Sequence, residues 1–182
     1  MDIATVNAVI SGLTLAVVGA AAIAALVQLR HLRAANNLNG LLSATAMFNS
    51  ETMRGHFAYV FGELHQRMQD PEYVRQLREG PADRTVHREL LVCDFYEQIG
   101  AYLKHGLLDE SVFLDLAGGS VLGVWRACLP AIRLMRARSG PAWYENFEYA
   151  AIRAREAQRR HPNGMFPRNM KRWDESLDEA DA

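Results

Sequence analysis

The sequence predicts an all-α protein in which one N-terminal transmembrane helix continues into a cytoplasmic helical bundle. Three observations lead there. A long uncharged apolar run opens the chain, and helix caps with glycine or proline stops punctuate the remainder. No stretch alternates apolar and polar residues as a half-buried strand would. The chain has 182 residues, 49% apolar and 23% charged, with a formal net charge of -1. That balance is ordinary for a globular domain, and no bulk field selects a partner. Two cysteines, Cys93 and Cys128, are too few for a disulfide scaffold or a four-cysteine zinc site.

No charged residue stands between Asp2 and Arg30. Within that run, the 22 residues from Val6 to Val27 reach about 33 Å as a helix, enough for a hydrocarbon core of about 30 Å. A cleaved signal peptide would carry a basic start, yet the chain opens Met1-Asp2. A buried core helix is the other rival reading, and the length favours the span. Arg30 and Arg33 follow the run and no basic residue precedes it, which puts the C-terminal side in the cytoplasm of a plasma or inner membrane. Ala8, Gly12, Ala16, Ala20 and Ala24 recur at a spacing of four, so they share a face that a second copy could approach closely. The expected organisation is an anchor over 1–29, a juxtamembrane helical stalk over 30–49, a bundle over 50–161 and a tail over 162–182.

In the bundle, Ser50 caps a helix carrying Met53, Phe57, Val60, Phe61, Leu64 and Met68. Asp70-Pro71 starts a short helix that ends at Gly80-Pro81. Asp83 is expected to open the most apolar helix, with Leu90, Cys93, Phe95 and Ile99, closed by Lys104-His105-Gly106. Asp109 caps a further helix expected to break at Gly118-Gly119. From Ser120 another runs to about Arg138, kinked at Pro130. Ser139-Gly140 ends it, and Pro141 is expected to start the last, which Pro162-Asn163-Gly164 stops. From Arg126 to Arg172 there are 11 basic and 3 acidic residues, whereas the last ten hold 5 acids and no base. That acidic tail either folds back on the basic face or is simply solvated.

The signatures of familiar chemistry are missing. No glutamate has a histidine three residues on, as a di-iron bundle needs, and no H-E-x-x-H or Gly-Lys-Ser/Thr loop occurs. Gly118-Gly119-Ser120-Val121-Leu122 lacks the closing glycine of a nucleophile elbow, and Gly119 and Gly123 read instead as helix-packing positions. The expectation is therefore no metal and no cofactor. What does stand out is acid within apolar helices: Asp94 and Glu97 three apart, then Glu145 and Glu148. An acid on such a stripe must be paired, protonated or bound to something. Arg126, Arg133 and Arg136 are the available partners, and at least one of Glu97 and Glu148 is expected to meet an arginine of that helix beside Trp125. If so, Gln in place of either acid is expected to cost about 3–5 kcal/mol.

Gln28-Leu29-Arg30-His31-Leu32-Arg33-Ala34-Ala35-Asn36 is similar to the juxtamembrane stretch of an uncharacterised bacterial family, domain of unknown function 4760. Phe95-Tyr96-Glu97 with Gly106-Leu107-Leu108-Asp109 resembles its central helix and turn. Trp125, Pro130, Ile132 and Arg136 resemble its tryptophan-proline helix, and Tyr144-Glu145-Asn146-Phe147-Glu148-Tyr149 its closing motif. The likeness runs from about Gln28 to Ala151. It implies a membrane-anchored helical domain, supplies no activity, and marks Glu97, Trp125, Arg136 and Glu148 as candidate positions without a catalytic role.

The leading functional expectation is a non-enzymatic, single-pass membrane protein. Its helical domain would bind an unidentified protein partner or, through the span, a second copy. The alternatives are an enzyme or small-ligand receptor using Glu97, Glu148, Arg126 and Arg136, and a binder of anionic lipid or nucleic acid through the basic C-terminal half. Of those partners, nucleic acid is the least favoured.

Overall fold

The structure, a computed structural model, describes residues 2–167, 169 and 170, with the side chains of Ala8 and Val9 outside that description. The described residues form seven helices and no strand: α1 (Ile3–Phe48), α2 (Glu51–Gly62), α3 (Leu64–Arg67), α4 (Pro71–Glu79), α5 (Glu89–Lys104), α6 (Glu110–Ser139) and α7 (Glu145–Arg160). The protein is all-α.

The N-terminal helix α1 is one unbroken rod of 46 residues, passing through Asn36, Asn37, Asn39 and Gly40 without a break. Every residue from Ile10 to Asn36 is exposed. Contact with the bundle begins near Gly40, and Leu41, Ala44 and Phe48 pack on the core. The most apolar part of α1 has a mean hydropathy of 2.3, none of it buried, so α1 is a candidate membrane span. Helix α6 is also long and apolar enough, at 1.4, but 39% of that stretch is buried. Val121, Val124, Cys128 and Ile132 of α6 lie in the bundle interior, which marks it as a core helix.

Local chemistry sets most helix ends. Ser50 accepts the Met53 amide at 3.2 Å and donates to the Met47 carbonyl at 2.8 Å, joining α1 to α2. The Asp70 and Asp109 carboxylates accept the Glu72 and Val112 amides at 2.9 and 3.1 Å. Gly106, at φ 66°, and Gly140, at φ 91°, take the left-handed region where α5 and α6 stop.

Five sequence expectations are corrected. The helix begun at Ser50 divides at Glu63, so Leu64 starts the short α3. Helix α5 begins at Glu89 rather than Asp83, because Asp83 spends its carboxylate on the Thr85 amide and hydroxyl, both at 2.8 Å, closing a turn. Helix α6 does not break at Gly118-Gly119. A Cβ on Gly118 would meet Leu114 and Ala154 at the ordinary contact distances of 3.8 and 4.0 Å, so this buried position packs against α7, and that packing offsets the poor propensity of glycine. Gly123 lies against Phe61, whereas Gly119 faces open space and packs against nothing. Pro130 stands inside α6 at an exposed position without ending it. Finally, α7 starts at Glu145, because residues 141–144 form turns and Tyr144 holds φ 59°.

Helix α7 lies against α5 and α6, presenting Ala150, Ala151, Ala154 and Ala157 as a small buried face. Between them the Phe147 ring stacks on Tyr96 at 5.0 Å and meets the edge of Trp125 at 5.0 Å. Cys93 and Cys128 are buried free cysteines, and burial pushes the Cys93 thiol well above its usual range. Of the expected tail over 162–182, residues 168 and 171–182 lie outside the described residues, and so does its acidic end.

Candidate functional site

Of the five candidate side chains in the bundle, α6 and α7 bring four together. Leu122, Trp125, Arg126 and Leu129 of α6 face Glu148, Ala151, Ile152 and Arg155 of α7 across an open groove of about 340 Å³. Spacings of three, four and seven place each set on one helix face. Arg136 closes one end, with Nη2 2.8 Å from Oε2 of Glu148 and its guanidinium 5.7 Å from the centre of the Trp125 ring.

Arg136 also donates to two carbonyls of the turn before α7, through Nε to Trp143 at 2.8 Å and Nη2 to Tyr144 at 3.4 Å. The Tyr144 hydroxyl donates to Asp94 at 2.9 Å, and Arg84 donates to the same carboxylate at 2.7 Å. Burial, then the neighbouring Cys93 and Asp94, push the Tyr144 hydroxyl well above its usual range, so it stays a donor. Arg136 thus holds a left-handed residue in the chain reversal that starts α7.

Glu97 is not in the groove and meets no arginine among the described residues. Its Oε1 accepts the Asn146 side-chain amide and its Oε2 the Phe147 backbone N–H, both at 2.8 Å. Helix α7 has no capping side chain of its own, so Glu97 of α5 caps it from outside, at the end where the helix dipole favours an anion. Glu148 keeps 42% of its side chain exposed, against 19% for Arg136. The expected cost of about 3–5 kcal/mol for either acid is therefore too high. Glu97→Ala is expected to cost about 1–2 kcal/mol as a lost cap, and Glu148→Ala about 0–1 kcal/mol as a half-exposed pair. Urea unfolding of the detergent-solubilised chain measures both, and the reverse order would overturn the capping role.

Arg126 and Arg155 are exposed at the groove's rim and have no ionic partner among the described residues. Arg153, by contrast, is held by Glu110 at 2.6 Å and Glu156 at 3.0 Å. An apolar floor under two free guanidiniums can hold an anion that carries apolar groups.

One cluster has almost no signature in the sequence. Glu89 and His87 are fully buried. The Tyr73 hydroxyl donates to Glu89 Oε2 at 2.5 Å and accepts from Tyr59 at 2.9 Å. His87 sets Nδ1 3.2 Å from Glu89 Oε1 and Nε2 3.1 Å from Gln76 Oε1. Burial and the bond to Glu89 raise the Tyr73 hydroxyl far above its usual range. Arg88 and Arg67 lie 5.0 Å over the rings of Tyr59 and Tyr73. No buried polar side-chain atom in the described residues lacks a partner, so the network is complete. Its one trace in the sequence is His87-Arg88-Glu89 directly before Leu90-Leu91-Val92, polar groups at the threshold of the most apolar helix.

These features define an all-α domain carried on a long apolar N-terminal helix. The chain belongs to the family described as Domain of unknown function (DUF4760), whose sequence model matches residues 15–154. The match reaches from inside the apolar part of α1 to the middle of α7, further at both ends than the resemblance read from the motifs. No curated protein and no solved structure matches the chain.

Proposed function

We propose that this is a single-pass membrane protein of the plasma or inner membrane, working as an interaction module. Its helical domain sits on the cytoplasmic side, and α1 associates with a second copy of the chain or with a protein partner. The observation that supports this most is the exposure of α1 on both sides of Arg30. Leu29, Leu32 and Leu38 are each more than half exposed, and the last two lie beyond the uncharged run. Apolar side chains on a helix in water gain by being covered. Gly12, Ala16, Ala20 and Ala24 extend an approachable face into the span.

Cross-linking of the full chain in native membranes should capture a dimer. Replacing both Gly12 and Ala16 by Leu should weaken it on the order of tenfold, or about 1.4 kcal/mol. An unchanged dimer yield would remove the small-residue face from the proposal. A reporter fused after the last residue should be active only on the cytoplasmic side, and activity on the far side would overturn the orientation.

A further inference from the structure

We propose that the acidic C-terminal segment of this chain, residues 173–182, occupies the groove between α6 and α7. The groove is lined by the apolar Leu122, Trp125, Leu129 and Ile152, and at its rim stand Arg126 and Arg155, which have no ionic partner among the described residues. The segment carries the complementary pattern. Trp173 and Leu177 are its two large apolar residues, and Asp174, Glu175, Asp178, Glu179 and Asp181 surround them.

The fold also brings the chain to the right place. After α7 ends at Arg160, the backbone turns at Gly164, φ 82°, and residues 161–165 lie beside Leu114, Gly118, Leu122 and Ala157. Leu122 lines both that cleft and the groove, so the chain is delivered to the groove's near end. Seven steps of α6 from Leu122 to Leu129 cover only about 10 Å. Twelve residues after Met170 can extend to roughly 40 Å, so reach does not limit the contact. At the far end Glu148, already paired to Arg136, repels further acids and confines the segment's charge to Arg126 and Arg155.

The test is amide hydrogen exchange of residues 173–182 in the full chain, held in detergent micelles. At about 0.05 M salt these amides should exchange about tenfold more slowly than in the free peptide, and that protection should vanish at about 0.5 M. The double variant Arg126→Glu/Arg155→Glu should abolish it at low salt. Both positions are exposed, and an unchanged melting temperature checks that the bundle is intact. Adding Asp174→Lys/Asp178→Lys to that double variant should restore protection. Exchange at the free-peptide rate in the unaltered chain would overturn the proposal, as would protection that survives the double variant. An added acidic peptide binding equally well to the full chain and to one ending at Met170 would show the groove open to an outside partner, which also overturns it.

Discussion

Gly100→Ala is expected to cost about 3 kcal/mol or more, among the largest losses from any single methyl group in this protein. A Cβ at Gly100 would overlap the backbone carbonyl of Asn146, and backbone cannot swing aside as a long side chain can. The contact is this close because Glu97, one turn earlier on α5, holds the Phe147 amide. Relieving the overlap means moving the start of α7 and breaking that cap together. Gly119→Ala is the matched control, since nothing lies within 4 Å of its Cβ position and it stands in the interior of α6. That change should stabilise by roughly 0.5–1 kcal/mol. Equal unfolding midpoints for the two variants in urea would show that α5 and α7 are further apart than described.

The second large effect belongs to the buried network. Glu89→Ala is expected to destabilise by about 3–5 kcal/mol, as removing one partner from a buried polar cluster does. The Tyr73 hydroxyl loses its acceptor and the His87 ring nitrogen its partner in a place that water does not reach, and a void replaces the carboxylate. Glu89→Gln fills the same space but turns one acceptor into a donor facing another donor, so it should fall between the wild type and the alanine variant. Unfolding of the solubilised chain by urea, watched through tyrosine and tryptophan fluorescence, measures all three. A Glu89→Ala loss no larger than that of Glu148→Ala would show Glu89 to be solvated.

Legibility in the sequence depends on how local each signal is. Ser50, Asp70 and Asp109 cap their own helices within three residues, and Gly106 and Gly140 end theirs by their own backbone preference, so these boundaries can be read directly. The starts of α5 and α7 and the continuity of α6 cannot. Asp83 and Pro141 are sound local start signals, but a turn and a left-handed Tyr144 held by Arg136 and Asp94 take their place. Gly118 reads as a breaker until Ala154 is seen beside it. The candidate site divides in the same way. Opposite charges on neighbouring apolar helices point to Arg136 and Glu148, which do meet. The same pattern points Glu97 at an arginine, yet its true partner is a backbone amide 50 residues on, which no side-chain pattern announces. Glu89 draws little attention in the sequence because its partner Tyr73 comes from α4, and Tyr59 of α2 reaches it only through Tyr73.

The unbroken α1 has a mechanical consequence. A helix without a hinge transmits rotation as well as position, so the azimuth of the bundle is phased to that of the apolar segment. One residue inserted between Arg33 and Leu38 would swing the domain by about 100° and shift it about 1.5 Å along the axis. Seven would return it to within about 20° of its original bearing while displacing it about 10 Å. In a pair joined along α1, the two grooves would therefore face each other or turn apart according to the length of a short stretch of helix that touches neither.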